Sequence, residues 1–85
     1  MARPAVRISV HSQAGHCDAG HTLGQVVEYR KGLPPDFCQA AFHTLMPYLY
    51  ALQFGGNLPW EKEPGTAHIA CPDPFNPVVF KLQRV

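Results

Sequence analysis

The segment DFCQAAFHTLMPYLYALQF (36–54) is bracketed by Pro34-Pro35 and Gly55-Gly56. No other feature constrains the fold as much. A proline in the first turn loses no helical hydrogen bond, and Asp36 suits the positive end of a helix dipole, so a helix is expected to start here. The two glycines are expected to end it. Cys38, Ala41, Leu45, Leu49 and Leu52 recur at three- and four-residue steps and form one apolar stripe. Pro47 falls inside the pattern and cannot donate to residue 43, which predicts a kinked helix or a helix pair. A single stripe must be covered by something that is not helix.

The flanks supply the cover. In AVRISVHS (5–12), Val6, Ile8 and Val10 alternate with Arg7, Ser9 and His11, the period of a half-buried strand. QVVEYR (25–30) predicts a second strand with Val27 and Tyr29 inward. The glycine-containing run between them (13–25) is a loop or hairpin connection. TAHIAC (66–71) and PVVFKLQRV (77–85) predict two further strands around the turn PDPFNP (72–77). The order is ββαββ. The expected fold is a small α+β domain spanning residues 1–85, with a mostly antiparallel sheet packed by one helical layer.

A chain of 85 residues is marginal as an isolated fold, so a metal, a partner subunit or very good packing is expected to support it. A homo-oligomer is one such expectation. Seven basic and six acidic side chains are scattered along the chain and leave a net charge of +1. With no basic cluster, nucleic acid is an unsuitable partner. No apolar stretch reaches bilayer length, so no membrane partner is expected. The start, MARPAVRISVHSQ, lacks the continuous apolar segment of a secretory signal. The expected compartment is the cytoplasm, where thiols stay reduced, and three cysteines cannot pair completely.

Chemistry concentrates on sulfur and imidazole. Cys17 and His21 are spaced so that one tight turn can aim both at a common ion. Cys38 lies at the helix start, where backbone N–H groups favour a thiolate. Cys71 ends a strand on the face of Ala67 and Ile69. Convergence of these four would make a Cys3His site, suited to zinc, with an iron–sulfur cluster as the other possibility. The plainer alternative is packing, since free cysteine behaves as a small buried hydrophobe. A catalytic alternative uses Cys38 as nucleophile and His21 as acid/base on a small molecule, with Trp60, Phe42 and Tyr48 as candidate pocket walls. The plainer alternative for the aromatic residues is core packing. His11, His43 and His68 fall on outward faces, and His16, next to Cys17, is a reserve ligand.

CDAGH (17–21), CQAAF (38–42), LMPY (45–48), ALQFGGNLPWE (51–61) and ACPDPFNPVVF (70–80) resemble an uncharacterised family of small single-domain proteins of bacteria and archaea. Its motifs are C-x-x-G-H, ALQ-x-GG-x-x-PWE and ACPDP-x-NPV. The resemblance covers nearly the whole chain and implies that Cys17, His21, Cys38 and Cys71 act as one set. It implies no particular activity. Family members often carry proline after the first two cysteines, where this chain has Asp18 and Gln39. That departure weakens an iron–sulfur assignment more than a zinc one. Three readings follow: a small metal-thiolate protein, an enzyme acting on an apolar or carbonyl small molecule, and a non-catalytic binding or oligomerisation module built around Trp60.

Overall fold

A computed structural model describes residues 3–17 and 19–85; Asp18 lies outside the described residues. Strands β1 (Val6–Gln13) and β2 (Val26–Tyr29) precede helix α1 (Gln39–Gln53), and β3 (Thr66–Ala70) and β4 (Val78–Arg84) follow it. The four strands form one antiparallel sheet in the order β2-β1-β4-β3. Two hairpins are thus joined through their outer members in sequence, β1 and β4, which become the two central strands. The expected ββαββ, α+β architecture is what the chain adopts.

Register explains the core. Ile8 faces Val27 on one side and Leu82 on the other, and Val10 faces Phe80. Leu82 in turn faces Ala67, and Phe80 faces Ile69. Because side chains alternate along a strand, these residues all share one face. The apolar stripe of α1 covers that face: Ala41, Leu45, Leu49 and Leu52 are buried with Val6, Ile8, Val10, Tyr29, Phe80 and Leu82. The opposite face is left to solvent. There β1 carries one extra residue between Val10 and Ser12, a β-bulge at His11.

The helix differs from expectation at its start. It begins at Gln39, and Cys38 is its N-cap, with extended backbone and no side-chain capping bond. Pro34-Pro35 make a turn instead of the first helical turn: Phe37 N–H donates to the Pro34 carbonyl, and Asp36 between them has φ +59°. Asp36 therefore lies outside the helix, whose first turn holds no acidic residue. Asp is one of the few non-glycine residues that tolerates this left-handed region. Pro47 does not split the element, which remains one helix of 15 residues. At the far end, Gly55 N–H donates to the Leu52 carbonyl and Gly56 N–H to that of Ala51. That is a Schellman cap, with Gly55 at φ +90°.

The string ALQFGGNLPWE (51–61) covers this end of the molecule. Gln53 donates through Nε2 to the carbonyls of Pro4 and Arg30, fastening the helix to both ends of the first hairpin. Its Oε1 is buried with no hydrogen-bond partner among the described residues. The Arg84 guanidinium reaches from β4 to the carbonyls of Leu52 and Gly56 and to Asn57 Oδ1. No described helix is long and apolar enough to cross a membrane.

Candidate functional site: a cavity walled by three cysteines

Three segments remote in the chain meet at the N-terminal end of α1. The connection after β1 turns back at Cys17, whose carbonyl accepts from Gly20 N–H. The helix contributes Cys38 at its N-cap. The mouth of the β3–β4 hairpin contributes Cys71, paired with Val78: Cys71 N–H donates to the Val78 carbonyl at 2.8 Å, and Val78 N–H donates to Cys71 Sγ at 3.2 Å. All three thiols are free and half-buried. They open on one cavity of about 130 Å³, lined also by Ala19, His21, Ala40, Ala41, Pro72, Asp73, Asn76, Val78 and Phe80.

His21 is 1% exposed and packs between the rings of Phe37 and Phe80, at centroid distances of 4.6 and 5.4 Å. Both ring nitrogens are engaged. Nε2 accepts from the Cys38 backbone N–H at 3.1 Å, and Nδ1 lies 2.8 Å from Gln25 Oε1. An acceptor at Nε2 carries no proton, so the ring is in its Nδ1–H tautomer and donates to Gln25. The lone pair that would bind a metal, or take a proton from Cys38, is spent on the helix's first turn. A backbone donor orphaned by the helix geometry is thereby satisfied from the side. His21 is a strut that fixes where Cys38 stands. The sequence pairing of Cys17 with His21 brings both to the cavity wall, but the imidazole faces the backbone with its nitrogens.

The rim opposite is built by the ACPDPFNPV string. Asp73 Oδ1 accepts from the backbone N–H groups of Phe75 and Asn76, an Asx turn, and these bonds hold its carboxyl below the usual carboxylate range. Asn76 then reaches across to the first loop and accepts the His16 N–H at Oδ1. Ala14 N–H donates to the Pro77 carbonyl beside it. Gly15, at φ +69°, lies under the Asn76 side chain with no room for a Cβ. The two loops are in this way stitched over the cavity.

The remaining candidates lie elsewhere. Phe42 and Tyr48 pack half-buried against the core, Trp60 is 64% exposed, and none of the three lines the cavity. Phe37 is buried, whereas Tyr50, Phe54 and Phe75 are exposed. His43 is exposed on α1, and His11 and His68 face solvent on the outer side of the sheet. Gln25, Asn76 and the Asx role of Asp73 had no place in the expected site. An aspartate before Pro-Phe-Asn is a readable turn cue, but Gln25 acts through loop geometry that has no sequence period.

Among the described residues, no three of His, Cys, Asp and Glu stand together in an arrangement that would hold a metal ion. Comparison with protein-family models, with curated proteins and with solved structures finds no match for this chain.

Proposed function

We propose that the protein binds a compact, mostly apolar small molecule in the three-cysteine cavity, with Cys38 as the thiol presented to it. The observation that carries this reading is the meeting of three free thiols on one cavity whose other walls are mainly alanine, proline, valine and phenylalanine. A volume of about 130 Å³ is close to that of an apolar protein cavity of roughly 150 Å³ that holds benzene. Sulfur adds polarisable contact to such a wall. The suitable ligand class is a carbonyl compound of benzene size or smaller, carrying a carbon that a thiol can attack. A reducing compartment such as the cytoplasm fits three unpaired thiols.

A second reading, favoured by the same convergence, is a metal-thiolate centre. Cys17, Cys38 and Cys71 would turn inward as thiolates around zinc or another soft ion. His21 would stay outside the ligand set, since its nitrogens are committed to Cys38 N–H and Gln25. An iron–sulfur cluster is less suited, because it needs more sulfur than the cavity offers without a fourth ligand.

The test is protection. Small cyclic enones and saturated ketones are added to reduced protein purified without a histidine tag, and thiol labelling by N-ethylmaleimide is followed by mass spectrometry, alongside elemental analysis. The expected result is metal-free protein in which a ketone slows labelling of Cys38 and an enone forms a Cys38 adduct. Stoichiometric zinc that protects all three thiols would replace the first reading with the second. Labelling unaffected by either class would remove the small-molecule reading.

A further inference from the structure

The outer face of the sheet carries an arrangement that the cavity does not use. Glu61 follows the turn closed by its own N–H to the Leu58 carbonyl, and its carboxylate is turned back onto β3. Oε2 accepts the His68 backbone N–H and Oε1 meets His68 Nδ1, each at 2.9 Å. An ionised carboxylate only accepts, so Nδ1 is the protonated nitrogen and the lone pair of Nε2 is turned away from Glu61. The second component comes from across the sheet. The β-bulge of β1 falls at His11, and bulges re-aim side chains. The His11 ring stands edge-on to that of His68, with centroids 4.8 Å apart.

We propose that His11 and His68 form a binding site for a divalent transition-metal ion, with Glu61 as the residue that positions His68. Imidazole nitrogens suit zinc, nickel and copper. A ligating histidine characteristically gives its other N–H to a carboxylate, which fixes its tautomer and raises its basicity. Here that carboxylate bond is already made, and the second imidazole is already against the first. Both rings are exposed, so solvent water would complete the coordination. Lys81 sits opposite His68 in the strand register, so its charge opposes a bound cation and moderates the affinity. The site lies on the face opposite the thiol cavity, and each stands or falls without the other.

The test uses full-length protein without a histidine tag, zinc chloride as the probe, and NMR of the histidine ring nitrogens. Zinc should shift the ring nitrogens of His11 and His68 together and with the same saturation curve. His11→Ala should abolish the zinc-dependent shift of His68, and Glu61→Gln should weaken binding tenfold or more, about the effect of losing such a carboxylate. Lys81→Gln should tighten it. The proposal is overturned if His68 does not respond to zinc, or responds equally when His11 is alanine. Zinc bound at the cysteines would leave these two rings unmoved, so the outcomes at the two sites are separable.

Discussion

His21 shows how a residue type can be noticed for one reason and used for another. Its imidazole is buried between two phenylalanine rings, with one nitrogen on Cys38 N–H and the other on Gln25. His21→Ala removes that packing and orphans a buried backbone donor. The expected cost is about 2–5 kcal/mol, read from the shift of the urea midpoint. His21→Gln, which can still accept from Cys38 N–H, should recover part of the loss. If His21 were a metal ligand, chelator would reproduce the alanine phenotype in the native protein; here chelator should leave the midpoint unchanged. Gly15 makes a complementary case. A Cβ there would collide with Asn76 Oδ1, which holds His16 N–H, and the backbone is left-handed. Gly15→Ala should cost about 1–3 kcal/mol and speed thiol labelling by opening the loops over the cavity. What was legible at this scale was which residues gather: Cys17, His21, Cys38 and Cys71 do share a wall. Which atom faces which partner was not, because hydrogen bonds such as His21 to Gln25 depend on loop conformation and not on any spacing rule.

At the level of elements, periodicity was the reliable guide. Val6, Ile8 and Val10 on β1 and Ala41, Leu45, Leu49 and Leu52 on α1 are buried as their spacing requires. The helix start was less legible. A double proline suits a first turn, yet it equally favours a turn before the helix, and Asp36 at φ +59° resolves the choice in favour of the turn. The helix end shows the opposite: Gly55-Gly56 terminate α1 as expected, but the Arg84 bonds to Leu52 and Gly56 come from the last strand and could only be seen once β4 was placed in the sheet. Gly55→Ala should destabilise by about 1 kcal/mol because of its φ of +90°. Arg84→Ala should cost at least as much, since it leaves two carbonyls at the helix end without their cationic partner. Thermal unfolding of the two variants checks both, with ligand protection of Cys38 unaffected because this end of α1 is remote from the cavity.

The whole molecule is a one-sided sandwich: a helix and a buried face with the thiol cavity at one end, and an open sheet face bearing the histidine pair. The strand order β2-β1-β4-β3 is what separates the two, and it was not readable from the chain, since alternation assigns faces but not neighbours. One consequence concerns acid. Burial pushes the Glu61 carboxyl up, but the hydrogen bonds from His68 and the charges of His68 and Lys81 outweigh it and hold the group below its usual range. Asp73 is held down by its bonds from Phe75 and Asn76. Carboxyls depressed in the native state bind fewer protons there than in the unfolded chain. Their contribution to stability is complete above the ordinary carboxylate range and is lost as pH falls through it. The urea midpoint should therefore drop as pH falls below about 5, less steeply in Glu61→Gln and in Asp73→Asn.

The central claim, that three distant thiols open on one shared cavity, is most directly tested by single-hit alkylation. Reduced protein is treated with limiting N-ethylmaleimide and the singly modified species is isolated. Its two remaining cysteines are then challenged with fresh reagent and timed by mass spectrometry. A common cavity of about 130 Å³ is filled by the first adduct, so the other two should react at least tenfold more slowly than they do in unmodified protein. Three cysteines that label independently, each at its original rate whatever happens to the others, would contradict the account.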